Sequence, residues 1–127
     1  MELTVVTYEV ADAVAAITLN RPEAANAQSH KALEELDQAW QEAERDPAVK
    51  VIVLKSNGKH FSAGHDMSGS GKSSSAPTEY HADTLYDWET RTYLHYAKRW
   101  REVPKPSSPR CRANASRAGS CCVGRAI

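Results

Sequence analysis

The sequence predicts an α/β fold in which two strands, a helix and a third strand follow one another along the first half of the chain. Two short runs of β-branched and apolar residues come first. An amphipathic stretch and then a nearly unbroken apolar run of strand length follow them. A chain of 127 residues lies within the usual size of one domain, so one modest core is expected.

The first two strands are predicted at residues 4–10 and 14–19, joined by a short turn at 11–13 as a hairpin. The dipeptide Arg21-Pro22 ends the second strand, because proline disfavours continued pairing. A polar loop follows, and Ser29 is a candidate N-cap for the helix beyond it.

The helix is predicted from apolar residues that recur at steps of three and four: Leu33, Leu36, Trp40 and Ala43. Polar residues are expected on the solvent side: Glu34, Glu35, Gln41 and Glu42. Pro47 closes the segment. Such a helix is the crossover expected between two parallel strands.

The third strand is predicted at residues 49–54, whose continuous apolar character fits a buried parallel strand. A turn at 56–59 follows, and residues 60–67 then lead away from the carboxyl end of that strand. Ligands favour this edge of an open α/β sheet, so the segment is the first place to look for a site.

The second half of the sequence is less regular. Residues 68–75 consist of Gly, Ser and one Lys and predict a surface loop. A second helix is expected to begin near Thr78 and to end before Pro104, with an apolar side made of Leu85, Trp88, Tyr93, Tyr96 and Trp100. From Ser107 onward acidic residues and periodicity both vanish, which predicts a folded part at 1–106 and an aberrant, disordered tail at 107–127.

Composition excludes several classes of function. Sixteen basic residues balance sixteen acidic ones, so no global field attracts nucleic acid or an anionic membrane. The sequence has neither an apolar run of membrane-spanning length nor the start of a signal peptide, and a cytoplasmic protein is expected. The spacing of Cys111, Cys121 and Cys122 matches no metal or redox motif, so free thiols and no metal are expected.

The segment at Ala63-Gly64 carries the strongest chemical signal. A glycine just after a strand lets the backbone turn sharply and brings peptide N–H groups towards a ligand. Such donors can hold a carbonyl oxygen that gains negative charge during a reaction. A plain turn is the alternative, and the pair of residues alone does not decide between them.

Several further motifs occur in a set order and spacing along the sequence and favour the donor over a plain turn: residues 17–22, 26–27, Asp46, 51–54, 61–67 and 104–106. From about residue 4 to residue 106 the chain resembles the enoyl-CoA hydratase/isomerase, or crotonase, family. The resemblance implies a spiral of β-β-α repeats, here incomplete, and acyl-coenzyme A thioesters as substrates. It also implies trimers or hexamers, an assembly in question for this shorter chain.

The resemblance also implies the site. The N–H of Ala63 would be one of two oxyanion-hole donors to the thioester carbonyl. The coenzyme A pocket would be lined by residues of two loops: Glu23, Ala25, Ala27, Ala63, Gly64, His65, Asp66 and Met67. No separate cofactor is expected, since coenzyme A is part of the substrate.

Some of these residues invite other interpretations. His65 could act as an acid or base, but the family uses this position mainly for its backbone, and that reading is preferred. Asp66 could do the same, yet after a glycine turn it more often caps the following backbone. The aromatic residues of the second helix could stack on adenine, although at helical spacing a core or subunit contact is the preferred interpretation.

The tail departs from the family pattern, which calls for a strand close to Ile-Ala-Ala-Val and then a Gly-Gly turn that carries the second donor. A shift of one base in the reading frame, with ordinary codon choices, converts the tail after Ser107 into Ile-Ala-Ala-Val-Gln-Gly-Lys-Cys-Val-Ala-Gly-Gly and onward. The sequence therefore predicts a single-base deletion near Ser107 and Ser108. The expected parent enzyme hydrates an enoyl-CoA or shifts its double bond, while this chain is expected to be truncated and inactive. The alternative is a non-catalytic remnant that binds coenzyme A or interferes with oligomers.

Overall fold

The computed structural model describes residues 2–66, 68 and 81–110, and one mixed sheet organises them. Its four strands lie in the order β1-β2-β3-β4. They are β1 (Val6–Ala11), β2 (Val14–Leu19), β3 (Val51–Ser56) and β4 (Ser107–Pro109). The first two are antiparallel, and the other two pairs are parallel. The predicted order of strand, strand, helix and strand is confirmed, while residues 69–75 of the loop predicted at 68–75 lie outside the described residues.

The hairpin between β1 and β2 turns through Asp12 and Ala13, whose φ angles are 49° and 65°. Two successive residues with positive φ form the type I′ turn that matches the twist of paired strands. Neither residue is glycine, so the turn lacks its usual sequence signal. The first strand begins at Val6, two residues later than predicted, and runs to Ala11.

Helix α1 (His30–Arg45) crosses from β2 to β3. The Oγ of Ser29 accepts the N–H of Ala32 at 3.2 Å, which confirms the predicted N-cap. The apolar stripe is buried as predicted, and it forms one core with the sheet and the second helical region: Leu33, Leu36, Trp40 and Ala43 with Val6, Ile17, Ile52, Leu54 and Trp100.

The expected exposure of Glu35 on α1 is wrong. The residue is 4% exposed, and its carboxylate accepts the N–H groups of Thr4 and Val5 at 2.8 Å and that of Val6 at 3.1 Å. The hydroxyl of Thr4 donates to it as well, at 2.8 Å. Periodicity reports only where apolar residues recur, and it cannot foresee a carboxylate that satisfies the backbone entering β1.

The second helical region has three consecutive segments: α2 (Ala82–Glu89), a π-helical turn (Thr90–Leu94) and α3 (His95–Glu102). In the π-helical turn the hydroxyls of Thr90 and Thr92 donate to the carbonyls of Tyr86 and Trp88, each at 2.7 Å. Threonine hydroxyls that bond back one turn compete with backbone N–H groups, which accounts for the local widening. The start predicted near Thr78 lies outside the described residues.

Of the aromatic and apolar side predicted for this region, Trp100 is buried and contacts α1. Its indole N–H donates to Asp37 at 2.9 Å, and the guanidinium of Arg99 donates to the same carboxylate. Tyr93 and Tyr96 are half-buried against the core, whereas Leu85 and Leu94 are exposed. The preferred core interpretation therefore holds for Trp100 and partly for the two tyrosines.

Strand β4 extends the sheet three residues past the boundary predicted at Pro106. Ser107 lies opposite Ile52, and Pro109 lies opposite Leu54. The N–H of Ile52 donates to the carbonyl of Pro106 at 3.0 Å, and the N–H of Arg110 donates to Leu54 at 2.7 Å. The predicted tail thus contributes a short strand, and residues 111–127, with all three cysteines, lie outside the described part of the chain.

Candidate functional site

The predicted site residues meet at one edge of the sheet, where the loops that leave β2 and β3 come together. These strands are parallel, so their carboxyl ends lie side by side, the usual place for a ligand in such sheets. The N–H of Asn57 donates to the carbonyl of Leu19, and its side-chain amide donates to Asn20, both at 2.9 Å. The two loops therefore form one joined structure.

Asn26 is the buried centre of this structure. Its side-chain oxygen accepts the N–H of Arg21 at 2.9 Å, and its amide donates to the carbonyls of Asn57 and His60 at 2.8 and 2.9 Å. The residue is 3% exposed and has a left-handed φ of 52°, which asparagine tolerates better than most residues. Asn26 lies in a motif noted in the sequence, but no role was predicted for it.

The segment around Gly64 is fixed by backbone pairing. Gly64 has φ 95°, a conformation that glycine adopts readily, and an added Cβ there would meet no atom within 4 Å. Glycine is therefore required for the turn and not for space. Gln28 then pairs on both sides of His65: its N–H donates to the Gly64 carbonyl at 2.8 Å, and its carbonyl accepts the Asp66 N–H at 3.1 Å.

This pairing selects the peptide that can face a ligand. In a parallel bridge the residue between the two bonded peptide groups has its own N–H and C=O directed away from the partner. That residue is His65. Its N–H has no hydrogen-bond partner among the residues that the structure describes, so it is available to an acceptor.

The expectation that Ala63 supplies the free donor is corrected by the same geometry. The N–H of Ala63 donates to the carbonyl of Ala25 at 3.0 Å and is already used. The neighbouring N–H of Gly64 donates to the hydroxyl of Ser62 at 3.1 Å. The N–H that can still donate to a ligand's oxygen is therefore that of His65, two residues beyond Ala63.

Three of the other predicted lining residues, Glu23, Ala25 and Ala27, belong to the loop after β2. Ala25, with φ 49°, and Ala27 are half-buried, while Glu23 is exposed in the short 3-10 turn Pro22–Ala24. The carbonyl of Ala27 accepts a hydrogen bond from Nη1 of Arg21 at 3.4 Å. Met67 lies outside the described residues.

Asp66 has a structural role, as preferred from the sequence. One carboxylate oxygen accepts the N–H of Ser68 at 3.0 Å, the predicted cap. The other lies 2.9 Å from Nη1 of Arg21, an ion pair that the sequence analysis missed. With both oxygens engaged, the carboxylate is a brace between the loops and not a free acid or base.

The side chain of His65 reaches the second helical region. Its Nε2 lies 3.9 Å from a carboxylate oxygen of Glu89, and its ring centroid lies 4.7 Å from that of Tyr93. No contact between these segments was predicted from the sequence. The α2 helix and the π-helical turn therefore lie against the side chain of His65.

The described part of the chain has neither a metal-binding cluster nor a membrane-spanning helix. The described residues include no group of three or more His, Cys, Asp or Glu placed to hold a metal ion. Within the same residues, no helix combines the length and the apolar character that a membrane crossing requires.

Comparison with known proteins adds a family and a set of relatives. The family model described as enoyl-CoA hydratase/isomerase matches residues 9–95. Among curated proteins, the (E)-benzylidenesuccinyl-CoA hydratase of Thauera aromatica is 38% identical over 99 residues, which are 77% of this chain and 37% of that protein.

Solved structures share the architecture. A probable enoyl-CoA hydratase from Mycobacterium smegmatis is 50% identical with a TM-score of 0.76, over 85% of this chain and 40% of that one. An enoyl-CoA hydratase/isomerase from Xanthobacter autotrophicus Py2 is 31% identical with a TM-score of 0.74, over 87% and 39%. The predicted incomplete crotonase-like fold is confirmed, and this chain spans about two fifths of the length of these relatives.

Proposed function

Because the chain belongs to the enoyl-CoA hydratase/isomerase family, we propose that it binds acyl-CoA thioesters and polarises the thioester carbonyl with the N–H of His65. The observation that carries the proposal is the bridge to Gln28. It commits the peptides on both sides of His65 to structural bonds and directs the intervening N–H outward.

The donor is held rigidly, which is what catalysis by charge stabilisation needs. Pairing with Gln28, the Gly64 turn and the Arg21–Asp66 ion pair all fix the loop before any ligand arrives. A preorganised N–H aimed at a developing negative charge contributes about 3 to 4 kcal/mol to the transition state. A thioester carbonyl that becomes an enolate during hydration or double-bond migration is such an acceptor.

The acyl-CoA substrate class also agrees with the relatives. The Thauera protein is named for a coenzyme A thioester, and acyl-CoA is therefore the substrate class proposed for this chain. Hydration and double-bond shift are both consistent with the site, because they share the polarised carbonyl and differ in the groups that move protons.

We further infer that the sequence after Pro106 is translated out of frame. Strand β4 supports this: Ser107–Pro109 pairs with β3 at the place where the shifted frame supplies Ile-Ala-Ala-Val. Two exposed serines and a proline bury little apolar surface beside Ile52 and Leu54, whereas the residues of the shifted frame would bury more. The second donor and the proton carriers would then belong to the frame that this chain does not carry.

The proposal is tested by calorimetric titration of the 127-residue chain with crotonyl-CoA and, separately, with free coenzyme A. A chain that holds the thioester carbonyl binds crotonyl-CoA more tightly than coenzyme A. Equal affinities would indicate a coenzyme A binder that does not engage the carbonyl, and no heat from either ligand would contradict the proposal. Cytoplasmic location and oligomeric state remain predictions.

A further inference from the structure

The turn after β3 carries an exposed asparagine that is followed by glycine. Asn57 and Gly58 are both exposed, yet Asn57 makes three hydrogen bonds to the end of β2 and the loop after it. Its N–H donates to the carbonyl of Leu19 and its side-chain amide to Asn20, both at 2.9 Å, and its carbonyl accepts the side-chain amide of Asn26 at 2.8 Å. A chemical change at Asn57 therefore acts on the joint between the two loops that form the site.

Gly58 supplies the peptide nitrogen next to the Asn57 side chain. It has a left-handed φ of 85°, and an added Cβ would lie 2.6 Å from the Cβ of Pro22, so glycine alone fits here without a shift. Within the part of the chain that the structure describes, no acceptor receives the N–H of Gly58. The nitrogen is therefore not shielded by a side chain of its own residue, and no hydrogen bond to those residues holds it.

The buried amide of Asn26 activates this nitrogen. It donates to the carbonyl of the peptide that joins Asn57 to Gly58, and Asn26 is only 3% exposed. When that peptide loses its proton, the negative charge is shared with the carbonyl oxygen, because the peptide group is resonant. A hydrogen bond to the charged form favours it. The Asn26 amide thus lowers the cost of removing the proton from the Gly58 nitrogen.

One contact acts in the opposite direction. The bond from the Asn57 side chain to Asn20 holds the amide in place, but it is exposed to solvent. Water can replace an exposed hydrogen bond at little cost, whereas the buried bond from Asn26 persists. The balance favours reaction between the Gly58 nitrogen and the Asn57 side chain.

We propose that Asn57 is a site of spontaneous deamidation. The deprotonated Gly58 nitrogen attacks Cγ of Asn57, the new N–Cγ bond forms, the Cγ–Nδ2 bond breaks, and the removed proton leaves with the amide group as ammonia. Water then opens the cyclic imide, at Cγ to give aspartate or at the main-chain carbonyl carbon to give isoaspartate. The reaction consumes only water, and it needs no ligand, so it does not depend on acyl-CoA binding.

Either product changes the joint between the loops. Aspartate places a carboxylate oxygen opposite Oδ1 of Asn20, where the amide now donates, and two acceptors cannot form a hydrogen bond. Isoaspartate routes the main chain through Cβ and Cγ, which lengthens it by a carbon atom between its bonds to Leu19 and Asn26. The modified chain is therefore expected to unfold more readily than the parent.

The test is peptide mapping by mass spectrometry during incubation of the purified 127-residue chain in mildly alkaline buffer. Conversion of amide to acid is expected to be several-fold faster at Asn57 than at Asn20 or Asn26, neither of which precedes glycine. An enzymatic isoaspartate assay should detect the second product at the same position. An Asn57 that stays intact in the folded chain, while the urea-unfolded chain converts, would overturn the proposal.

Three variants of the loop sharpen this test. Asn57→Gln is the matched control, because the longer side chain closes a larger ring far more slowly, and its peptide should stay unconverted. Asn57→Asp has the charge of one product and should lower the midpoint of thermal unfolding by a few degrees. Asn26→Asp keeps the acceptor for Arg21 but removes the donor to the Asn57 carbonyl, so it should slow the conversion. Conversion as fast as in the parent, in an Asn26→Asp variant that circular dichroism shows to be folded, would overturn the activation by Asn26.

Discussion

The guanidinium of Arg21 and the carboxylate of Asp66 lie 2.9 Å apart, although 45 residues separate them in the chain. Only 5% of the Asp66 side chain and 19% of the Arg21 side chain are exposed. The pair joins the loop after β2 to the loop after β3. The same two loops are also joined by the bridge between Gln28 and His65. The position of the proposed donor therefore depends on an ion pair between residues far apart in the sequence.

Asp66→Asn should lower the free energy of unfolding by about 2 to 4 kcal/mol, because it leaves a partly buried guanidinium without its anionic partner. Urea unfolding measures the loss. Asp87→Asn is the control, since its ion pair with Arg91 is exposed and should be worth less than about 0.5 kcal/mol. Equal effects of the two substitutions would show that the loops do not need the pair.

Glu35 gives the chain a specific dependence on pH. Burial alone would raise the pKa of Glu35, but hydrogen bonds from Val5, Thr4 and Val6 stabilise its carboxylate and hold the pKa below the usual value of 4.5. A depressed pKa in the folded state stabilises the protein at pH above the unfolded value. That stability is lost as the pH falls through the folded pKa.

Glu35→Gln should therefore cost about 2 to 3 kcal/mol at pH 7, where the carboxylate accepts several N–H groups. The difference from the parent chain should shrink as the pH is lowered below 4.5. Chemical unfolding at pH 7, 5 and 3.5 measures it, with the exposed Glu42→Gln as the control. A penalty that does not change with pH would exclude this role of the charge.

The side chain of Lys105 caps the carboxyl end of α1, although it lies about sixty residues further along the chain. Its Nζ donates to the carbonyls of Ala43 and Asp46 at 2.6 and 2.7 Å, groups that have no partner within the helix. Lys105→Met should destabilise the chain by about 2 kcal/mol in thermal or urea unfolding. Lys50→Met, which removes one exposed bond to Pro47, should change stability by less.

Sequence patterns predicted the parts of the fold that depend on apolar residues. The stripe that contains Leu36 and Trp40 predicted α1 because a buried helical face must recur at helical spacing. Glu35 escaped prediction because its partners lie about thirty residues away in the sequence. The turn at Asp12 and Ala13 escaped because it adopts positive φ without glycine.

The sequence predicted which loop forms the site, but not which backbone N–H in that loop is available to a ligand. Motif and order located the loop that contains Ala63 and His65, and the family resemblance supplied its chemistry. Which N–H remains available depends on the pairing of Gln28 and on the bond from Ala63 to Ala25. Those bonds join residues 25–28 to residues 63–66. Because these segments are far apart in the sequence, local residue patterns could not predict them.

Restoration of one base near the codon for Ser107 should yield a longer protein that contains the strand and the Gly-Gly turn of the shifted frame. That protein should hydrate crotonyl-CoA measurably, because it supplies a second donor and proton carriers. The 127-residue chain should show no turnover above a heat-treated control. A stop codon immediately after the restored base would contradict the frameshift account.

The backbone N–H of His65, and not its side chain, is the proposed donor that polarises the thioester. The most direct measurement is the infrared frequency of the thioester carbonyl in bound, isotope-labelled crotonyl-CoA, because an N–H donor lowers that frequency. His65→Ala keeps the N–H and should preserve the lowered frequency, whereas His65→Pro removes the N–H and should return it to the value in water. A frequency that stays low in a folded His65→Pro variant, or that is lost in His65→Ala, would contradict the account.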